Sequence, residues 1–282
     1  MKIGVITDCF KLPLADSIKL AGELGFDGIQ VYATTGEFSP EVLNDERKAE
    51  IKALLKENNL EISALCGDMG GHGFEIAKDN AERIEKTKKI VDLAVDFGVS
   101  VVTTHIGVIP ADKNDPKYAD MLDALCKCGE YAASKNVTMA IETGPETAKV
   151  LHAFLEDTKG GVGVNLDPAN FVMVTGQDPV EAVRLLGKYI VHTHVKDGVM
   201  LKQTDPKVIY DCFADGGIEA LNVADYFLET PLGEGHVDFP AYLNALKEVG
   251  FDGYLTIERE TGKNPIDDIK SAQATVSALL NK

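Results

Sequence analysis

A closed (β/α)8 barrel in a single domain is the fold this sequence predicts, and three observations predict it. Short apolar runs alternate with longer helix-patterned stretches from one end of the chain to the other, and there are eight of each. The joint Gly-Phe-Asp-Gly occurs twice, in LGFDGIQVYA (24–33) and VGFDGYLTIE (249–258), each time between a helix end and a strand. The length of 282 residues suits one such domain, since these barrels use roughly 250 residues. A doubly wound open sheet has the same alternation, but a count of eight favours closure.

In chain order the strands are Lys2–Thr7 (KIGVIT), Gly28–Tyr32 (GIQVY), Ile62–Cys66 (ISALC), Val101–His105 (VVTTH), Thr138–Glu142 (TMAIE), Gly163–Asp167 (GVNLD), Ile190–Lys196 (IVHTHVK) and Tyr254–Glu258 (YLTIE). Helices are expected between them near Ala15–Leu24, Pro40–Asn58, Asn80–Phe97, Lys117–Lys135, Glu146–Thr158, Pro179–Gly187 and Phe239–Val249, with a last one over Pro265–Leu280. In the repeated joint, glycine supplies a left-handed cap at the helix end and the turn then delivers the next strand. Two stretches depart from the rhythm. CGDMGGHG (66–73) reads as a flexible loop after the third strand, and residues 198–235 are far longer than an ordinary βα connection. That insertion contains two helix-like pieces, VIYDCFAD and ALNVADYFLE. Long βα insertions form lids or contacts between subunits at the active face, so this one is a candidate surface in a homo-oligomer. Nothing divides the chain, and one domain over 1–282 is expected.

Composition excludes several functions. Apolar content of 45% is ordinary for a globular protein, while a formal charge of −17 with no basic run argues against nucleic acid and anionic membranes as partners. The most apolar stretches are interrupted by charge, as in IVDLAVDFGVSVV, so no membrane span is expected, and the start MKIGVITDCF enters a strand at once rather than reading as a signal peptide. Five cysteines, an odd number without scaffold spacing, point to reduced thiols and a cytoplasmic location. Cys126 and Cys128 point to different faces of a helix and read as packing residues.

The chemistry sits at strand ends. Glu142, Asp167, His194 and Glu258 stand at the C-terminal ends of four separate apolar runs. Side chains alternate along a strand, so His192, His194 and Lys196 share one face; Thr138, Ala140 and Glu142 share another; Asn165 pairs with Asp167, and Thr256 with Glu258. In each case the larger apolar side chains take the opposite face, suited to packing under helices. Polar groups inside a barrel are tolerated near its mouth, where a ligand or metal satisfies them. Singly each has a plainer explanation: a solvated strand end for Glu142 or Glu258, a turn cap for Asp167 before Pro168, a satisfied core histidine for His192. Together, three carboxylates and an imidazole at one mouth make a divalent-metal site with acid and base capacity. Manganese is the first expectation, with magnesium, cobalt and zinc as the other ions that suit the donor set.

The segments IETGPET, NLDPANF, HTHVKD, PLGEGHVDF and LTIERE, in that order, resemble the sugar-phosphate isomerase/epimerase group of the xylose isomerase-like TIM barrels. The motifs span the second half of the chain, and the βα rhythm extends the likeness to the first. The resemblance implies that Glu142, Asp167, His194 and Glu258 hold the metal. It also implies proton abstraction next to a carbonyl through a metal-stabilised enediolate, with Glu142 and Glu258 as base and acid on opposite faces of a sugar or sugar phosphate. His105, closing the fourth strand, and Lys196 would bind substrate hydroxyls or a phosphate, and Asn170 stands at a substrate-binding position. Two places depart from the ketose 3-epimerases: Asn170 replaces a histidine and Met200 an arginine, which puts a free-ketose 3-epimerase in doubt. An inosose dehydratase-like lyase begins with the same proton abstraction. A non-catalytic metal-binding barrel and a phosphodiester-cleaving repair enzyme are the other readings, the last disfavoured by the acidic chain and its few histidines.

Overall fold

A computed structural model describes residues 1–217 and 221–281. In chain order its elements are β1 (Lys2–Ile6), α1 (Leu14–Glu23), β2 (Gly28–Tyr32), α2 (Asp45–Glu57), β3 (Glu61–Cys66), α3 (Ala77–Phe97), β4 (Val101–Thr104), α4 (Pro116–Ser134), β5 (Thr138–Glu142), α5 (Ala148–Asp157), β6 (Val162–Leu166), α6 (Pro168–Asn170), α7 (Pro179–Leu186), β7 (Ile190–Val195), β8 (Asp197–Met200), α8 (Pro206–Ala214), β9 (Phe227–Thr230), α9 (Phe239–Glu248), β10 (Tyr254–Ile257) and α10 (Pro265–Leu280). Eight strands pair in parallel and close in the order β1, β10, β7, β6, β5, β4, β3, β2, back to β1. The predicted barrel is therefore the observed one. None of the described helices is long and apolar enough to cross a membrane.

Local chemistry explains where the helices begin and end. Four Asp-Pro dipeptides open helices, at Asp115, Asp167, Asp178 and Asp205. Each Asp carboxylate accepts from the backbone N–H two residues on, at 2.7–2.9 Å. Proline in the next position supplies a helical φ and lacks the N–H that would otherwise go unpaired. The helix expected from Pro40 starts instead at Asp45, because the Asn44 side chain accepts from the Arg47 N–H at 2.8 Å and fixes the first turn there. The two Gly-Phe-Asp-Gly joints behave alike: Gly25 and Gly250 adopt φ of +76° and +79°. In both, the following phenylalanine N–H reaches back to a helix carbonyl, Phe26 to Ala21 and Phe251 to Leu246.

The barrel separates its two faces as strand parity requires. Met139, Ile141, Val164, Leu166, Leu255 and Ile257 are buried against the helix layer, where Ile18, Leu125, Phe154 and Tyr242 meet them. The inner face carries a bonded polar thread. Gln30 Nε2 donates to Thr103 Oγ1 at 3.1 Å, His192 Nδ1 lies 2.9 Å from Asn165 Oδ1, and His192 Nε2 lies 3.0 Å from Thr256 Oγ1. His192 is thus a satisfied core histidine. Burial, aided by the neighbouring His194 charge, pushes it down to about 3 and keeps it neutral.

The insertion departs from the sequence expectation. VIYDCFAD does fall in α8, but ALNVADYFLE is not a helix. Its first residue, Ala220, lies outside the described residues; Val223–Asp225 form a short 3-10 turn and Phe227–Thr230 form β9. β9 pairs antiparallel with β8, from Asp197 opposite Thr230 to Met200 opposite Phe227. The excursion is therefore zipped at its base, a contact between segments far apart in sequence that helical periodicity cannot reveal.

Asp197 fastens that base. Its carboxylate accepts from the N–H groups of Gly198 at 2.8 Å, Gly233 at 2.8 Å, Gly235 at 3.0 Å and Val237 at 3.1 Å. A Cβ on Gly235 would collide with the Asp197 carboxylate and the Gly198 nitrogen, so the close approach requires glycine. Hydrogen bonds to a charged acceptor are worth about 1.5–3 kcal/mol each, and donors left unpaired add a desolvation penalty. Asp197→Ala is expected to destabilise the protein by about 2–4 kcal/mol, read as a lower urea midpoint. A midpoint unchanged from the parent would remove Asp197 as the clasp.

Candidate active site

The parallel strands bring four dispersed side chains to one mouth. Glu142 ends β5, Asp167 follows β6, His194 lies one residue before the end of β7, and Glu258 follows β10. All four are buried, and one ligand-type atom from each lies within 4.8 Å of the others. His194 Nδ1 stands 2.9 Å from Glu258 Oε2, 3.4 Å from Glu142 Oε1 and 3.8 Å from Asp167 Oδ2.

The surroundings aim these atoms. Asp167 caps α6 and faces the cluster at once. Its Oδ1 accepts from Ala169 N–H at 2.7 Å and Asn170 N–H at 3.2 Å, leaving Oδ2 without a hydrogen-bond partner. Gln30 donates its amide to Thr103, so its Oε1 is free to accept from His194 Nε2 at 3.0 Å. That bond places the ring hydrogen on Nε2 and turns Nδ1 toward the carboxylates. Asn165 Nδ2 donates to Glu142 Oε2 at 3.3 Å. His194 Nδ1 and Glu258 Oε2 join Asp167 Oδ2 as buried atoms that lack hydrogen-bond partners. Buried polar atoms are normally satisfied, and three orphans converging on one point are what a cation site leaves behind. Three carboxylate oxygens and one imidazole nitrogen suit a hard or borderline divalent ion.

Electrostatics agree with the geometry. Burial would lower His194, but Glu142 and Glu258 outweigh it and hold the imidazole well above its ordinary value. Burial would raise Glu142 and Glu258. The rings of His105 and His194 hold Glu142 below its ordinary range, and Lys196 with His194 does the same for Glu258. The cluster demands positive charge, and a proton on His194 Nδ1 or a metal cation meets that demand at the same place.

A cleft of about 600 Å³ opens above the cluster, and the remaining predicted residues line it: His105, Lys196 and Asn170. His105 Nε2 is 3.6 Å from Glu142 Oε1, and its ring meets Tyr210 edge-on at 6.0 Å. The Lys196 ammonium faces carboxylates on several sides, 2.7 Å from Glu260, 3.2 Å from Glu258 and 3.7 Å from Glu229. Asn170 Nδ2 donates to the Thr143 carbonyl at 2.9 Å, tying α6 to the loop after β5. Met200, where the resemblance would place an arginine, lies in β8 on the insertion.

Sequence reasoning missed several participants. Gln30 was legible, being the one polar side chain inside GIQVY. Glu260 follows Glu258 at strand parity and had the same signal. Glu229 and Tyr210 had none, because only the folded insertion brings them to the mouth. Arg259, which holds Glu229 at 2.7 Å and Asp268 at 2.8 Å, depends on the same contact. Glu146, in the loop after β5, is buried with neither carboxylate oxygen bonded, and burial pushes it up to about 7.

Comparison with known proteins places this geometry in a lineage. Residues 18–279 match the family model described as xylose isomerase-like TIM barrel. The chain is 25% identical to the uncharacterized protein YfiH of Bacillus subtilis, over 92% of this chain and 93% of that one. It is 24% identical to the L-ribulose-5-phosphate 3-epimerase UlaE of Salmonella typhi, over 95% of this chain and 90% of the relative. The crystal structure of a xylose isomerase domain protein from Planctomyces limnophilus superposes with a TM-score of 0.79 at 26% identity, covering 99% of this chain and 96% of that one. The chain, with its closed parallel barrel and its carboxylate–histidine cluster at the mouth, belongs to the xylose isomerase-like TIM barrel family.

Proposed function

We propose that this protein is a divalent-metal-dependent isomerase or epimerase of a sugar or sugar phosphate, working by proton transfer at a carbon next to a carbonyl. The observation that carries the reading is the convergence of Glu142, Asp167, His194 and Glu258 with three unpartnered buried atoms among them. A relative named as a 3-epimerase of a ketose phosphate, aligned along 95% of this chain, supports the same class. Glu142 Oε1, Asp167 Oδ2, His194 Nδ1 and Glu258 Oε2 are the atoms that would hold the ion, for which we take manganese first. Bound there, a divalent cation supplies Lewis-acid polarisation of a carbonyl and its neighbouring hydroxyl oxygen.

The chain's own groups then divide the work. One of the two glutamates removes the proton from the carbon beside the carbonyl, and the electron pair of that C–H bond moves toward the carbonyl oxygen. The other glutamate returns a proton, to the opposite face of the same carbon in an epimerisation or to the adjacent carbon in an aldose–ketose exchange, where the neighbouring hydroxyl also passes its proton to the former carbonyl oxygen. Lys196 beside Glu258 Oε1 and Asn165 beside Glu142 Oε2 orient these carboxylates and favour their ionised forms. His105, at the edge of the cleft, is placed to bond a substrate hydroxyl. The five cysteines are free and buried, which supports a reducing, cytoplasmic setting.

Two measurements test this. Titration of manganese into the metal-free protein should find one site whose affinity falls as pH is lowered, because the proton on His194 Nδ1 competes with the ion. Gln30→Leu, which unhooks the far side of that ring, should weaken binding about 10–100-fold; parent-like affinity in that variant would break the assignment of Gln30. In D₂O with manganese present, a sugar substrate should take up deuterium at the carbon beside its carbonyl. Glu142→Gln and Glu258→Gln should each slow uptake about 10²–10⁴-fold. Normal exchange in either variant removes that glutamate from proton transfer, and a product lighter by one water would make the enzyme a lyase instead.

A further inference from the structure

Lys196 is the residue from which a phosphate contact was expected, yet Glu260, Glu258 and Glu229 already face its ammonium. That pairing leaves little positive charge over for a ligand at the glutamate end of the cleft. An anionic group on a substrate therefore needs a cation elsewhere along the wall. The chain has four arginines, and three of them are committed to carboxylates. Arg47 faces Glu37 at 2.7 Å and Glu50 at 2.8 Å, Arg184 faces Glu248 at 3.5 Å, and Arg259 faces Glu229 and Asp268. Arg83 alone has no carboxylate partner among the described residues. Its Nη2 donates to the Gly70 carbonyl at 2.9 Å, a neutral acceptor.

The position of Arg83 gives that free charge a use. It stands in the second turn of α3, half-buried, and reaches back to the loop after β3. Gly70 and Gly71 of that loop line the cleft, both in the left-handed region at φ of +64°. A Cβ built on Gly71 would lie 3.2 Å from Arg83 Nη2, so the guanidinium rests against the cleft wall where glycine leaves the backbone bare. The rim is held in place from both ends. Asp68 Oδ1 accepts from the Gly70 N–H at 2.8 Å, and His72 Nε2 lies 3.0 Å from Asp215 Oδ1 on the insertion. A guanidinium is a planar fork of donors that matches two phosphate oxygens at once, which a lysine cannot do.

We propose that the substrate is a sugar phosphate whose phosphate is held by Arg83 at the Gly70–Gly71 rim, with its carbonyl end at Glu142 and Glu258. The inference rests on the reading of this site as one of proton transfer beside a carbonyl. A phosphate on the carbon farthest from the carbonyl leaves that chemistry intact and keeps the charged end away from the glutamates. The competing cation is Lys11, which lines an adjoining cavity of about 430 Å³ together with Asp8 and Glu37.

Isothermal titration of the manganese-loaded protein with two pairs tests the proposal: D-fructose against D-fructose 6-phosphate, and D-ribulose against D-ribulose 5-phosphate. In at least one pair the phosphate should bind about tenfold or more tightly than the free sugar, and added salt should shrink that advantage. Arg83→Met and Arg83→Gln should each bring that phosphate to within about threefold of its free sugar, Arg83→Lys should restore part of the difference, and Lys11→Met should leave it as it is. Manganese affinity and thermal midpoint in the Arg83 variants should match the unsubstituted protein, which separates a lost contact from a lost fold. The proposal is overturned if neither phosphate gains over its free sugar, including the case where nothing binds. It is also overturned if the advantage survives in the Arg83 variants or disappears in Lys11→Met. The two readings fail separately: deuterium uptake without a phosphate preference leaves proton transfer standing, and an Arg83-dependent preference without uptake leaves the phosphate site standing.

Discussion

Three carboxylates, Glu142, Asp167 and Glu258, are buried at one barrel mouth with their facing oxygens and His194 Nδ1 within 4.8 Å of one another. Buried like charges so close repel strongly unless positive charge joins them, so the fold can keep all three only by supplying a cation or a proton there. Much of the surrounding structure answers that constraint. Gln30 turns the His194 ring, Asn165 supports Glu142, and Asp167 spends one oxygen on a helix cap while presenting the other.

The barrel interior and the site are one hydrogen-bonded system. Asn165 bonds to His192 and Glu142, His194 bonds to Gln30, and His192 continues to Thr256. Each polar group inside the barrel is held by another, and the chain ends at the cluster, where partners run out. This holds the site from beneath, as the proposed proton transfer between fixed carboxylates would require. From above, the insertion closes one side. The β8–β9 pair and the Asp197 clasp fix its base, and α8 carries Tyr210 and Phe213 to the cleft wall. Acids below and an apolar wall above give the cleft two ends of different chemistry.

The barrel was readable because its signals are local. Apolar alternation marks strands, the Asp-Pro dipeptides cap helices within two residues, and the glycine joints end helices within one turn. The metal-type cluster was readable for a related reason. In a parallel barrel all strand C-termini point the same way, so four strand-end residues must share one mouth even when 116 positions separate Glu142 from Glu258. The β9 strand was misread as helix because FLET owes its extended form to pairing with β8 rather than to its own propensity.

By itself, the sequence determined the alternation of elements, the closure of eight strands and the face on which each polar strand residue lies, because strand and helix periods are properties of neighbouring residues. Only the tertiary structure decided which groups are spent on one another. Lys196 looked like a free substrate cation until Glu258, Glu260 and Glu229 closed around it, and Glu229 arrives from the insertion. Charge available to a ligand is what remains after such pairing, and pairing depends on distances that the fold alone sets.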